Sequence, residues 1–302
     1  MEPPFDRVLV TGAQGFTGKY LCNLLRRHGY KVFGVGTEAS DKSDFYYSCD
    51  VANTGEMTKI LERVAPHYVF HLAAISFVQH SNPSEIYQVN VLGTESLLQA
   101  ILNSKTNPKS VLLASSATVY GDQPNEVLSE DLPPNPKNHY GISKFGMEQI
   151  AKNYFSKIPI LLVRPFNYSG PGQSINFVIP KIVHHFKTKL AKIELGNLDV
   201  FREFNDIEFV CKIYFELMLC GAHSEVVNVC SGQTYSLQEV INETAHLSGH
   251  QLDVVQNPLF VRPDEVKRLS GSTLKLKTLI KSIPETSLRK TLSGYFNSHS
   301  PS

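Results

Sequence analysis

The sequence predicts an α/β protein, with a doubly wound parallel sheet followed by a smaller C-terminal α/β lobe. Three observations carry that expectation. Short apolar, β-branched runs recur through residues 7–165, and segments of helical periodicity alternate with them. The runs carry too few polar positions to face water on one side, so both faces of the sheet should be covered by helices. A glycine-rich turn, TGAQGFTG, joins the first run to the first helical segment.

The elements follow in order. RVLVT (7–11) reads as a buried strand. KYLCNLLRRHG places Tyr20, Leu21, Leu24 and Leu25 at helical spacing and stops at Gly29. KVFGV (31–35) reads as a second strand, TGEMTKILERV (54–64) as an amphipathic helix and YVFHLA (68–73) as a third strand. Residues 84–104 form a long helix, and SVLLAS (110–115) a fourth strand. A helix beginning near Tyr140 runs to about Phe155, before a fifth strand in IPILLVRP (158–165). Past Pro165 the alternation loosens: FNYSGPGQ is a turn-rich loop, VVNVCSG (226–232) one more strand, and SLQEVINETAHLSG (236–249) a capped helix. Residues 1–165 are expected to form the nucleotide-binding domain and 166–302 the lobe, with segments near 202–230 returning to the sheet.

Bulk composition narrows the function classes. The chain has 302 residues, 42% of them apolar, enough for a sizeable core. Its net charge of +1 comes from scattered lysines and arginines, with no basic stripe for nucleic acid. Cys22, Cys49, Cys211, Cys220 and Cys230 form no C-x-x-C pair or metal-ligand cluster, so no metal is expected. They read as reduced thiols of a cytoplasmic protein. MEPPFDRVLV lacks the pattern of a signal peptide, and no apolar run approaches the ~20 residues of a membrane helix.

The turn places Gly12, Gly15 and Gly18 between a strand and a helix. Such glycines permit a tight turn, approach of backbone to a pyrophosphate, and close helix–strand packing. The helix N-terminus adds free N–H groups and a positive dipole end. This predicts a Rossmann sheet binding NADP or NAD, against the plainer alternative of a ligand-free glycine turn. The end of the second strand, GVGTEAS, has no arginine for a 2′-phosphate; Thr37 and Ser40 could serve either cofactor, and Glu38 is either a ribose contact or a solvated charge. Asp50 either accepts from adenine or caps the approach to a helix.

In HYGISKFG, Tyr140 precedes Lys144 by four residues, so the two share a helix face. An ammonium beside a phenol should lower its pKa from ~10 and make it a usable acid or base. SSATVYG ends the fourth strand and brings Ser115 and Ser116 to the sheet's carboxyl edge. A Y-x-x-x-K pair alone is more often a surface pair; with the glycine turn and the serines in this order it points to a proton-transfer site.

Together TGAQGFTG, HLAA, SSATVYG, YGISK and RPFNYSGPGQ resemble the extended short-chain dehydrogenase/reductases, the family of nucleotide-sugar epimerases, dehydratases and reductases. RPFNYSGPGQ, VVNVCSGQTYSLQEVI and RPDEVKRLSGS are most similar to its reductases of GDP-4-keto-6-deoxy-D-mannose. The resemblance implies that Ser116, Tyr140 and Lys144 are catalytic and that Lys144 also holds the nicotinamide ribose. It implies cofactor contacts from Gly12, Gln14, Gly15, Phe16, Gly18, Thr37, Asp50, Val51 and the stretch His71, Leu72, Ala73 and Ala74. It implies substrate contacts from Asn167, Arg202 and Arg262. Family dehydratases carry an Asp–Glu pair after the catalytic Ser/Thr; Ala117 and Thr118 stand here, so ketone reduction is expected, with a UDP-glucose-type 4-epimerase or a non-catalytic subunit as alternatives. Ile86, Val89, Leu97, Leu98 and Ile101 lie on one face, and Phe145, Met147 and Ile150 on another, of the helices at 84–104 and 140–155; one face of each must cover the sheet, and the surplus either packs within the chain or pairs two subunits as a homodimer, as the resemblance implies. Departures from the family lie in the lobe: Arg202-Glu203-Phe204 replaces Arg-Asp-Phe, Phe209 replaces an aspartate, and the chain has no tryptophan.

Overall fold

The computed structural model describes residues 6–38, 45–76, 81–261 and 267–297. Seven parallel strands form the main sheet in the order Glu225–Val229, Ile160–Pro165, Ser110–Ala114, Tyr68–His71, Arg7–Thr11, Lys31–Gly36, Tyr46–Ser48. The chain steps outward from Arg7–Thr11 to one side, then returns and builds the other side. The crevice beyond the carboxyl ends of Arg7–Thr11 and Tyr68–His71 is therefore a topological switch point, where ligands of such sheets bind.

Alternation along the central strand decides how the sheet is covered. Val8 and Val10 face a core shared with helices Phe16–Arg27 and Ile207–Leu219. Leu9, pointing the other way, joins helices Thr54–Val64, Gly93–Asn103 and His139–Lys152. The strands are apolar on both faces because both are buried. A third core, around Phe186, Leu195, Val240 and Leu292, unites the lobe helices Val178–Lys187, Leu237–Ser248 and Leu288–Asn297. The lobe's four-stranded sheet borrows Val127–Leu128 from the first half, alongside Tyr235–Ser236, Phe201–Arg202 and Arg268–Gly271.

Several elements differ from the sequence reading. Tyr46–Ser48 is a strand that its three residues gave no periodicity to detect. The strand expected over 68–73 ends at His71, since the chain turns into the crevice. The long helix covers 83–103 but contains a π turn, Gln88–Leu92. Ile86, Leu97, Leu98, Ile101 and Met147 are buried within the chain, as faces that cover the sheet must be; among the described residues, Leu92, Leu102 and Ile142 are the large apolar side chains that stay exposed on these helices.

Candidate functional site

The glycine turn is shaped by backbone contacts. Gly12 has φ +67°, and a Cβ there would lie 2.7 Å from the Ala73 nitrogen across the switch point. A Cβ on Gly18 would lie 2.1 Å from the Gly12 carbonyl oxygen, so helix and turn can close only over glycine. Gly15 is exposed, and the helix it starts has neither a side-chain cap nor an acidic first-turn residue. That end offers its N–H groups and dipole to an anion.

Two buried polar atoms in this region lack partners: the Gln14 Oε1 in the turn, and the Tyr46 hydroxyl, packed where a Cβ on Gly36 would lie at the end of the second strand. Orphaned groups flanking an uncapped helix and an exposed glycine fit a pyrophosphate and its ribose. Thr37 and Glu38 are exposed beyond Gly36. Asp50 is exposed and its Oδ1 accepts from the Ala52 N–H at 2.9 Å, so one carboxylate oxygen is used as a local cap. Val51 is buried against Gly93. Leu72, Ala73 and Ala74 are half-buried on the crevice wall, with the Ala73 N–H donating to Thr11 Oγ1. Phe16 stacks on Tyr168, and the Thr17 hydroxyl meets the Tyr168 hydroxyl at 2.8 Å, tying the turn to the loop after Pro165.

His71, which the resemblance places in the stretch of adenine and ribose contacts, has its side chain turned inward: it is 2% exposed and bridges Thr11 Oγ1 (2.7 Å) and Thr94 Oγ1 (2.9 Å). Burial, reinforced by the nearby Lys144 charge, pushes its pKa down to about 3, so the imidazole is a neutral strut.

The catalytic candidates meet at the same edge. Ser116 follows strand Ser110–Ala114 and caps the short turn Ala117–Tyr120, its Oγ accepting from the Thr118 N–H (3.1 Å) and bonding the Thr118 hydroxyl (2.6 Å). Asn138 caps helix His139–Lys152 and so fixes Tyr140 in its first turn. Ser116 stands near enough to Tyr140 for its hydroxyl to lower the phenol's pKa. The expected net lowering of that pKa is not found: burial raises it and the Ser116 hydroxyl offsets only part of that, while the Lys144 Nζ is turned to the Ala114 carbonyl at 2.7 Å. A phenol held in its protonated form is suited to give a proton rather than to take one.

Beneath this trio lies a network that sequence reasoning missed. Glu148, fully buried, accepts from Ser115 Oγ (2.6 Å), Arg164 Nε (2.9 Å) and Arg164 Nη2 (2.7 Å). Arg164 also lies over the Tyr120 ring at 4.7 Å. In the π turn, buried Asn90 bonds Ile75 through its N–H and its carbonyl and donates to Ser143 Oγ, which donates to the Tyr140 carbonyl. An arginine inside the apolar run ILLVRP was the available signal, since a buried guanidinium demands an acid.

Toward the lobe, Asn167 is exposed just past strand Ile160–Pro165, its carbonyl accepting from the Asn205 N–H. Arg202 lies on the lobe sheet and donates to its neighbour's carbonyl, Phe201 O, at 2.8 Å. Glu203, 1% exposed, accepts from the Gly271 N–H (2.7 Å), the Ser231 N–H (2.8 Å) and Asn205 Nδ2 (2.8 Å), stitching the lobe to the sheet end. Arg262, like Ser40, lies outside the described residues.

With this geometry in hand, residues 9–294 match the family described as GDP-mannose 4,6 dehydratase. The chain is 39% identical over 275 residues to GDP-6-deoxy-D-talose 4-dehydrogenase of Aggregatibacter actinomycetemcomitans, covering 91% of each. It is 31% identical over 300 residues to GDP-6-deoxy-D-mannose reductase of Pseudomonas aeruginosa, covering 95% of each. The structure of RMD from Pseudomonas aeruginosa complexed with NADPH aligns with a TM-score of 0.85 at 29% identity, covering 96% of this chain and 97% of that one.

Proposed function

Because the chain belongs to the GDP-mannose 4,6-dehydratase family of extended short-chain dehydrogenase/reductases, we propose that it reduces the C4 ketone of a GDP-linked 4-keto-6-deoxy-hexose. It is an oxidoreductase of this extended type, and the finer reading concerns substrate and direction. NADPH or NADH, held at the glycine turn, would supply the hydride and leave as NADP or NAD. Tyr140 gives its phenolic proton to the oxygen formed at C4, and Ser116 donates to the same oxygen while Thr118 keeps the serine hydroxyl oriented. Lys144 holds the nicotinamide ribose. Asn167, Arg202 and Arg262 face the sugar nucleotide, a role guanidinium geometry suits for a diphosphate.

The observation that carries this reading is the placement of Ser116, just past strand Ser110–Ala114, beside Tyr140 in the first turn of helix His139–Lys152. The positions after Ser116 hold Ala117 and Thr118, neither able to do the acid–base work of sugar dehydration, although the family description names a dehydratase. The test is oxidation of NADPH or NADH by the purified protein with GDP-4-keto-6-deoxy-D-mannose, with the C4 configuration of the product read by NMR. Tyr140→Phe should lose turnover by roughly two to four orders of magnitude and keep cofactor affinity. Near-normal turnover in that variant would refute the assignment. Interconversion of UDP-sugars by a tightly retained cofactor, without added nicotinamide, would make the protein a 4-epimerase instead. The reading includes a cytoplasmic homodimer, whose contact would use the exposed Leu92, Leu102 and Ile142 on two adjacent helices.

A further inference from the structure

We infer that Glu148 is a positioning residue: clamped by Arg164 and Ser115, its carboxylate keeps the Lys144 ammonium charged and pins the catalytic helix to the strand that carries Ser116. The inference rests on the reading of Ser116, Tyr140 and Lys144 as the reacting trio.

The geometry makes Glu148 the knot of three elements. It lies on helix His139–Lys152, one turn beyond Lys144 and on the same face. Its oxygens accept from Ser115, adjacent to Ser116, and twice from Arg164 on strand Ile160–Pro165. Lys144, 4% exposed, donates to the neutral Ala114 carbonyl. An ammonium so enclosed loses its proton readily unless an anion stands near. Among the described residues, the other groups around it do not supply one. From strand Tyr68–His71 comes the neutral His71, and from its own helix the phenol of Tyr140. From the strand beside Ser110–Ala114 comes Arg164, whose guanidinium is paired with Glu148, and past that strand the phenol of Tyr168, bonded to the Thr17 hydroxyl. Burial brings the Lys144 pKa down to about 8, and Glu148 is the group that opposes the fall. At neutral pH the lysine stays charged with little margin.

The test is a titration of the Lys144 side chain in the cofactor-free protein, by NMR of carbon-13-labelled lysine with the signal assigned through Lys144→Met. The wild-type midpoint is expected near 8. In Glu148→Gln it should fall by about one pH unit or more, and the alkaline limb of kcat/KM should move down with it. Glu148→Gln leaves Arg164 buried without its partner, so a double variant, Glu148→Leu with Arg164→Met, removes both charges and restores packing. Its midpoint should stay low although its stability recovers. An unchanged midpoint in Glu148→Gln, a return to the wild-type midpoint in the double variant, or an unmoved alkaline limb would each overturn the inference. Absence of keto-sugar reduction by the wild-type protein would instead overturn the functional reading, and the lysine titration would still be read on its own.

Discussion

His71 offers a pH-dependent stability that can be worked out in advance. The imidazole is buried, neutral and hydrogen-bonded at both nitrogens, with its pKa near 3 in the folded chain against 6.5 for the free side chain. A folded-state pKa that is depressed means the unfolded chain binds the proton first. The stability that neutral His71 provides is therefore complete above pH 6.5, declines as pH falls through the window from 6.5 toward 3, and is gone below it. Each unit in that window removes about 1.4 kcal/mol, so the loss reaches about 2 kcal/mol by pH 5. The comparison protein is His71→Asn, which keeps hydrogen-bonding capacity but does not titrate. Urea unfolding of both proteins near pH 7.5 and pH 5 gives the difference in ΔG, from which the contributions of shared carboxylates cancel. The wild-type advantage should narrow by about 2 kcal/mol at the lower pH. A gap that stays constant across this range would show that the imidazole is charged or solvated in the folded state, and the strut between Thr11 and Thr94 would have to be abandoned.

Two further sets of substitutions probe the turn and the lobe. Gly18→Ala sets a methyl 2.1 Å from the Gly12 carbonyl, so thermal unfolding should show a destabilisation of about 1–3 kcal/mol and nicotinamide fluorescence a loss of binding. Gly15→Ala, with only the Gly12 carbonyl at 3.2 Å, should fold normally and weaken cofactor binding; wild-type affinity in both variants would remove the turn from the cofactor site. Glu203→Gln turns an amide N–H toward donors from Gly271, Ser231 and Asn205. It should cost about 1–3 kcal/mol in denaturant unfolding, and a neutral result would mean that this carboxylate does not join lobe to sheet.

What the sequence disclosed and what it withheld follow from the range of the interactions involved. The helix Thr54–Val64 was legible to the residue because its signal is local, apolar positions at i, i+3, i+4 and i+7, and the structure adds an Asn53 cap and a left-handed Ala65 at its ends. The sheet was legible because strands buried on both faces must be apolar throughout. The glycine turn was legible because its constraints, Gly12 against Ala73 and Gly18 against Gly12, allow no other residue. The interactions that set the chemistry are long in sequence and leave no periodic trace. Glu148, four residues after Lys144, carries no signal in the sequence, and only the partner sixteen positions later, buried in a neighbouring strand, shows that it faces inward. Tyr140 was misread for a like reason: counting residues placed a cation beside the phenol, whereas the fold sends that cation to the Ala114 carbonyl and lets burial decide the proton. A spacing rule gives which side chains share a face; which of them is satisfied by backbone, and which by a distant acid, is decided only when the sheet closes beneath the helix. For this site that distinction separates a phenol held in its protonated form from one already ionised.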